Sequence, residues 1–82
     1  MQNPAYLTIV WQAGPVKEAG VNGVQAPEVI GAVIQYLQGV NVPPHANRET
    51  SLAITKLEEA VLWLNERTRR REARGVEGTS QV

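Results

Sequence analysis

The stretch "NRETSLAITKLEEAVLWL", residues 47–64, predicts a long helix more clearly than any other part of this chain. Asn47 suits the N-cap, where its side-chain oxygen accepts a hydrogen bond from one of the free backbone N–H groups. Apolar residues then recur at helical spacing on one face, which we expect to pack on a neighbouring helix. These residues are Ala53, Ile54, Leu57, Ala60, Val61 and Leu64.

The same helix carries a second stripe of residues at spacings of three and four. Its members are Arg48, Leu52, Thr55, Glu59, Leu62 and Trp63. A helix that covers a single neighbour needs only one stripe, so the second stripe predicts a second contact. That contact is either the N-terminal strand or another subunit. We favour another subunit, because Leu62 and Trp63 lie far along a helix that outruns its partner.

Arg48 opens this helix with a cation, although the positive end of the helix dipole favours an anion. Symmetric packing along the second stripe would bring copies of Arg48 towards a shared axis, where bare guanidinium groups repel one another. An anion between them would relieve the repulsion, since Arg binds phosphate bidentately and N–H groups at the helix start add to the positive site. The alternative is that Arg48 pairs with Glu49 or a neighbour's carboxylate and only solubilises the first turn.

Composition leaves room for one small domain with a thin core. The chain has 82 residues with no Cys and no Phe, and a domain of this size buries only about 60–65% of the surface that its unfolded chain exposes. Without disulfides or a thiolate metal site, oligomerisation is a common source of stability. The formal net charge is zero, so no global field attracts nucleic acid. No targeting segment and no run of about 18 apolar residues is visible, so we expect a soluble, intracellular protein without a membrane span.

The N-terminal quarter predicts a small β element. Residues 5–12, "AYLTIVWQ", alternate and are rich in β-branched and aromatic types, as in a strand. A Gly-rich loop follows over 14–24, with a second short strand at 16–18 and a tight turn of positive φ at Asn22-Gly23. A lone hairpin is marginal in water, so these strands must pack on a helix or pair with another chain.

A first helix is predicted over 26–39. Pro27 suits its first turn and Gly39 its stop. Its apolar stripe, which should face the second helix, comprises Val29, Val33, Tyr36, Leu37 and Val40. Tyr36 is therefore expected to be a packing residue.

A loop over 40–47 joins the two helices, because Pro43-Pro44 cannot continue a helix. The second helix then runs from 48 to 74 and ends at Gly75. At about 1.5 Å per residue it would be roughly 40 Å long, nearly twice the length of the first.

The predicted architecture is thus mainly α with a small β element, in a single domain. The N-terminal strand or strands and the Gly-rich loop occupy 1–25. A two-helix antiparallel hairpin follows over 26–75 and oligomerises through its long second helix. A loose tail occupies 76–82, in which Val76 is able to dock.

At this point residues 47–64 resemble the helical-hairpin domain shared by phage-encoded sponges that disarm bacterial CBASS and Thoeris immunity. The second helix of that family reads Arg-Glu, then Ser-Leu-Ala, a Thr two residues on, and Leu-Glu-Glu-Ala before a Trp. The corresponding residues here are Arg48-Glu49, Ser51-Leu52-Ala53, Thr55, Leu57-Glu58-Glu59-Ala60 and Trp63. The resemblance covers about 26–66, half of the chain.

The resemblance implies a non-enzymatic phage protein that acts in the cytoplasm of the infected bacterial host. It would bind a cyclic di- or trinucleotide, or a cyclic ADP-ribose-type messenger, and withhold that ligand from an immune effector. It also implies a homo-oligomer, a trimer or hexamer with a dimer as the alternative, and ligands in pockets between subunits. The family's phosphate contact carries over to Arg48, and Thr55 follows it. Asn47, whose N-cap role needs no ligand, lies beside them.

In the known sponges the N-terminal region supplies aromatic and polar residues that hold a base, so Tyr6 and Trp11 are the candidates here. Trp offers a flat face for stacking, with ordinary core packing as the alternative for Trp11. Gln12 is a candidate because it leads into the Gly-rich loop together with Trp11. Lys17 lies in that loop, whose glycines let the backbone approach a phosphate closely.

No catalytic residue, metal site or cofactor is predicted. His45, the only histidine, has no partner at ligand spacing and no nucleophile beside it. Glu58 and Glu59 are adjacent and point about 100° apart on a helix, so they form no paired-carboxylate centre.

Five basic residues crowd into residues 67–74, where we expect a solvated face or intersubunit salt bridges. They are Arg67, Arg69, Arg70, Arg71 and Arg74. One alternative function is a nucleic-acid-binding accessory protein that uses this run, disfavoured because no interleaved aromatic residue or DNA-binding motif accompanies it. The other is a structural or inhibitory phage oligomer with a protein partner.

Overall fold

The computed structural model describes residues 6–75 and 77–79, and three helices lie in this part of the chain. In chain order these are α1 (Val16–Ala19), α2 (Ala26–Val40) and α3 (Arg48–Ala73). Helices α2 and α3 pack against each other as the predicted hairpin. The first residue of the predicted strand and the docking of Val76 lie outside the described residues.

Helix α2 begins where its capping residues predict. The backbone N–H of Gln25 donates to Oε1 of Glu28 at 3.2 Å, and Pro27 lies in the first turn. The helix continues through Gly39, the predicted stop, to Val40. Its last turn closes where the N–H of Asn41 donates to the carbonyl of Leu37 at 2.9 Å.

Asn47 caps α3 as predicted, because its Oδ1 accepts the N–H of Thr50 at 2.7 Å. Asn41 secures the connection between the helices: its Oδ1 accepts the N–H of Asn47 at 2.9 Å, and its Nδ2 donates to Ser51 Oγ at 3.0 Å. One amide side chain therefore ties the end of α2 to the first turn of α3. Helix α3 ends at Ala73, one residue before the predicted end.

One face of α3 is partly buried along its whole length. Its members recur every three or four residues: Thr50, Ile54, Leu57, Val61, Leu64, Thr68 and Arg71. The predicted apolar stripe is confirmed over Ile54–Leu64, while Ala53 is exposed. The stripe continues beyond the apolar residues to Thr68 and Arg71, where α3 extends past α2.

The predicted packing face of α2 is only partly right: Val29 and Leu37 are partly buried, whereas the other three predicted residues are exposed. Tyr36 is 68% exposed, and Val33 and Val40 are also exposed. The residues that turn inward are Ile30, Ile34 and Leu37, at the same helical spacing. Because α2 carries apolar residues on more than one side, periodicity alone could not indicate which side meets α3.

The predicted N-terminal strands are also wrong. Within the described residues no strand forms, and a single parallel bridge joins Trp11 to Val24. The N–H of Gln12 donates to Val24 O at 2.9 Å, and the N–H of Val24 donates to Val10 O at 2.8 Å. Residues 16–18, the second predicted strand, instead belong to α1, so the extended segment has only one residue to pair with.

Large apolar side chains remain uncovered in the single chain, and none of the described side chains is fully buried. On the second stripe of α3, Leu62 is 68% exposed and Trp63 is 65% exposed. Among the described residues, no helix combines the length and the apolarity that crossing a membrane requires.

Candidate functional site

The clearest pocket lies where α3 extends past α2. With 26 residues against 15, α3 measures about 39 Å and α2 about 22 Å. The N-terminal segment and residues 77–79 lie beside the overhang and border an open pocket of about 410 Å³. Its lining includes Trp11, Gln12, Val24, Arg67, Arg71 and Glu77. This volume lies within the range of pockets that hold small molecules.

Two guanidinium groups, one helical turn apart on α3, supply the positive charge of the pocket. Arg67 is exposed and forms no hydrogen bond or ion pair with another described residue. Arg71 is only 8% exposed. Its Nε donates to Glu77 Oε1 at 3.0 Å, and its Nη2 donates to Thr79 O at 3.1 Å. The pocket thus holds one free and one neutralised cation.

Trp11 contributes an aromatic residue to the lining of the pocket. It is 55% exposed, so the alternative of ordinary core packing does not hold in the single chain. Its backbone is held against Val24 by the bridge described above. A half-exposed indole on a fixed backbone can stack on a flat ring.

A side-chain clasp shapes the loop behind Trp11. Gln12 Nε2 donates to the carbonyls of Gly14 at 3.1 Å and Gly20 at 2.8 Å, while its Oε1 accepts the N–H of Asn22 at 3.0 Å. Asn22 completes the clasp through two 2.8 Å bonds to the backbone of Ala13. Gln12, predicted as a ligand contact, lines the pocket, but its side-chain amide forms hydrogen bonds with the backbone of the loop. The sequence predicts Asn22 only as part of a turn, and the structure adds its hydrogen bonds to Gln12 and Ala13.

Gly23 is required for a reason other than the predicted one. Its φ is not positive, whereas a Cβ at this position would lie 2.6 Å from the carbonyl carbon and oxygen of Trp11. The close approach of two backbone segments, rather than a left-handed turn, demands glycine here.

The two remaining N-terminal candidates do not line the pocket. Tyr6 is 86% exposed. Lys17 is exposed on α1, where its backbone N–H donates to Gly78 O at 2.8 Å. Lys17 thus helps to hold residues 77–79 in place.

The other predicted candidates lie at the opposite end of α3. Asn47 is engaged as the N-cap, and Thr55 Oγ1 donates to Ser51 O at 3.1 Å. Arg48 is exposed, and it pairs with neither Glu49 nor any other described carboxylate. Twenty-three residues separate Arg48 from Arg71 in the sequence, which is roughly 35 Å along a helix. Within one chain, the predicted residues therefore form two separate regions.

The Arg run is not one solvated face. Arg69 and Arg70 are exposed and both bind Glu66, at 2.6 Å and 3.1 Å. The hydrogen bond from Arg69, with a further one from Arg70, lowers the pKa of Glu66 to about 2. Arg71 departs from the prediction, because it is buried against Glu77. Only part of the run remains available to an external anion.

From the sequence, Arg67 and Arg71 are predicted only as members of the basic run and not as residues of this pocket, and Glu77 is not predicted as a site residue. One signal for Arg71 was present: it lies seven residues after Leu64 and fourteen after Leu57, on the inward stripe of α3. A charged residue at an inward position needs a polar partner. That partner, Glu77, lies in the predicted loose tail. Within the described residues, no cluster of side chains is arranged to bind a metal ion.

Two comparisons with known proteins bear on the family to which the helical hairpin belongs. The family model of the Acb2/Tad1 hairpin domain matches residues 3–69. The chain is also similar to Thoeris anti-defense 1 of Bacillus phage SBSphiJ7, with 51% identity over 74 residues. The alignment covers 90% of this chain and 52% of that protein, so the chain spans about half the length of this curated relative. The matched range extends beyond 26–66 and takes in Trp11 and Arg67.

Proposed function

This chain belongs to the Acb2/Tad1 hairpin-domain family, and on that premise we propose that it is a phage anti-defence sponge. It binds a cyclic nucleotide or a cyclic ADP-ribose-type immune messenger in the cytoplasm of the infected host. It removes the messenger by binding alone, without chemical conversion.

The pocket at the α3 overhang is the observation that carries the proposal. A nucleotide-type messenger presents flat bases and phosphate groups. Trp11 supplies a stacking surface, and Arg67 supplies a guanidinium without a partner, in one pocket of about 410 Å³. Arg contacts phosphate with two parallel hydrogen bonds, so this pairing suits the two halves of such a ligand.

The second stripe of α3 supports a homo-oligomer. Leu62 and Trp63 expose most of their side chains, and α2 covers the opposite face. Packing between copies along this stripe would also gather the Arg48 side chains, which pair with no carboxylate among the described residues. The family resemblance then supports a second phosphate contact, formed by Arg48 and Thr55 between subunits of a trimer or hexamer.

Sequestration sets particular physical requirements. Free messenger falls by mass action, so the protein must be present in amounts comparable to the messenger and bind it tightly. Slow dissociation matters more than any rate of chemistry. A rigid pocket, such as one held by the Gln12–Asn22 clasp, lowers the ordering cost of binding.

Two measurements test the proposal. Native mass spectrometry of freshly purified protein would report the number of subunits and any nucleotide that co-purifies. A thermal-shift panel of cyclic dinucleotides, cyclic trinucleotides and cyclic ADP-ribose isomers would identify the ligand class. A protein that carries no nucleotide and responds to no member of the panel would contradict the proposal.

The Arg67→Gln substitution should weaken binding of the selected ligand by about tenfold or more, because it removes one charge-assisted hydrogen bond. Arg69→Gln is the matched control, since Arg69 lies on the same helix, faces away from the pocket and binds Glu66. Isothermal titration calorimetry on both variants measures the difference. If Arg67→Gln and Arg69→Gln bind the ligand equally well, the ligand lies elsewhere. An Arg48→Gln variant then tests the other end of α3.

A further inference from the structure

Residues 77–79, the C-terminal strap, close one side of the pocket. Gly78 O accepts the backbone N–H of Lys17 at 2.8 Å, at the start of α1. Glu77 Oε1 and Thr79 O accept hydrogen bonds from Nε and Nη2 of Arg71. The strap therefore ties the end of α3 to the start of α1.

The strap presents Arg71 with two acceptor oxygens, one from a carboxylate and one from a carbonyl. A guanidinium at 8% exposure requires such partners, because an unpaired buried charge is costly. Two oxygens aimed at adjacent N–H groups are also what a phosphate offers to Arg. The strap thus occupies Arg71 in the way that a phosphate group would.

The ion pair between Glu77 and Arg71 is weak enough for a ligand anion to replace the Glu77 carboxylate. The Glu77 side chain is 30% exposed, so water and salt weaken its attraction to Arg71. Arg67, one helical turn away in the lining of the same pocket, has no partner in the part of the chain that the structure describes. Displacement of the Glu77 carboxylate would release Nε of Arg71 for an anion that also contacts Arg67, while Nη2 of Arg71 keeps its hydrogen bond to Thr79 O.

We propose that Glu77 is an internal substitute for a ligand phosphate, which the incoming phosphate displaces from Arg71. The inference rests on the proposed function and deepens it. The site takes ligands whose anionic group reaches both Arg67 and Arg71. The strap lowers the affinity for weak anions, because any ligand must first replace an existing ion pair.

Inorganic pyrophosphate is a suitable probe, because it carries the anion without a base. The Glu77→Gln variant keeps the size of the side chain and removes the competing charge, so it should bind pyrophosphate about tenfold more tightly than the parent. Glu72→Gln is the matched control: it changes the net charge equally, but its side chain is exposed and contacts no cation in the described part of the chain. Its affinity should stay within about twofold of the parent's, by the small effect of exposed charges.

Hydrogen exchange gives a second readout. The Lys17 amide is protected by Gly78 O, so it should exchange faster when pyrophosphate displaces the strap from the parent protein. Circular dichroism checks that both variants keep their helices.

Several results would contradict the proposed displacement of Glu77 by phosphate. Weaker or unchanged binding by Glu77→Gln would mean that Glu77 positions Arg71 rather than competing for it. An equal gain in Glu72→Gln would reduce the effect to net charge. If pyrophosphate binds none of the proteins, the proposed displacement of Glu77 is wrong. The sponge proposal is tested separately by the panel of cyclic nucleotides.

Discussion

Residues of one type take different roles in this protein according to what lies within hydrogen-bonding distance. Arg48 and Arg67 are exposed and have no partner among residues 6–75 and 77–79, Arg69 binds Glu66 on the surface, and Arg71 is buried against Glu77. Residue type and local spacing are similar in these cases. The difference lies in partners that only folding supplies, so a run of basic residues should not be interpreted as a single surface.

The pKa of Glu66 tests whether Arg69 and Arg70 form these ion pairs in solution. Arg69, and then Arg70, lower its pKa from the ordinary 4.5 to about 2. Because the folded-state pKa is depressed, the ion pairs stabilise the helix above pH 4.5, and this contribution is lost as the pH falls towards about 2. We expect the Glu66 carboxyl carbon to titrate in NMR near pH 2 in the parent, and at a higher pH in Arg69→Gln.

Arg67→Gln is the control for this titration, since Arg67 lies one residue from Glu66 but does not bind it. It should leave the pKa of Glu66 unchanged. A Glu66 that titrates near pH 4.5 in the parent would mean that the two ion pairs do not form in solution.

Among the elements, the two long helices were predicted well and the N-terminal segment was not. Asn47, Pro27 and the apolar spacing of α3 are signals carried within a few residues of one another, so the ends of both helices could be predicted to within about one residue. The N-terminal segment alternates like a strand, yet from residue 6 onwards the structure shows one bridge, between Trp11 and Val24. Alternation shows that a segment suits a sheet, not that a sheet exists for it to join.

Gly23 tests how the N-terminal segment is held. Alanine at this position would place Cβ 2.6 Å from backbone atoms of Trp11 and Val10, which cannot rotate away. We expect Gly23→Ala to destabilise the fold by about 1–3 kcal/mol, the usual cost of an overpacked site. Chemical denaturation at fixed protein concentration measures the change.

Gly39→Ala is the matched control, because a Cβ there meets nothing within 4 Å and the residue lies inside α2. It should stabilise the helix by up to about 1 kcal/mol. A Gly23→Ala protein as stable as the parent would show that the bridge between Trp11 and Val24 does not constrain the fold.

The whole molecule is too thin to complete a core alone. Its extents are 48 × 33 × 17 Å, so in its shortest dimension it is less than two helix diameters deep. Its radius of gyration of 16.0 Å exceeds the roughly 12 Å of a compact domain of this length. A hairpin of this shape covers each helix on one side only, which accounts for the exposed Leu62 and Trp63.

Association through the second stripe is therefore the prediction for the molecule as a whole. Replacing Leu62 and Trp63 by Ser should leave the helices intact, because both side chains are already exposed, but should dissociate the oligomer to single chains. Sedimentation velocity with circular dichroism separates the two effects. Val21→Ser is the matched control, since Val21 is an exposed apolar residue away from α3. A parent protein that sediments as a single chain would contradict this association.

The order of the two helices, their N-caps, the inward apolar stripe of α3 and its second stripe could all be read from residues close together in the chain. The choice of the inward face of α2, the replacement of strands by α1 and a single bridge, and the pocket at the overhang could not. Each depends on contacts between separate segments of the chain, as in Trp11 with Val24 and Arg71 with Glu77. A helix forms from interactions within four residues, whereas a pocket forms where several segments meet, and packing selects among faces that the sequence leaves equally apolar.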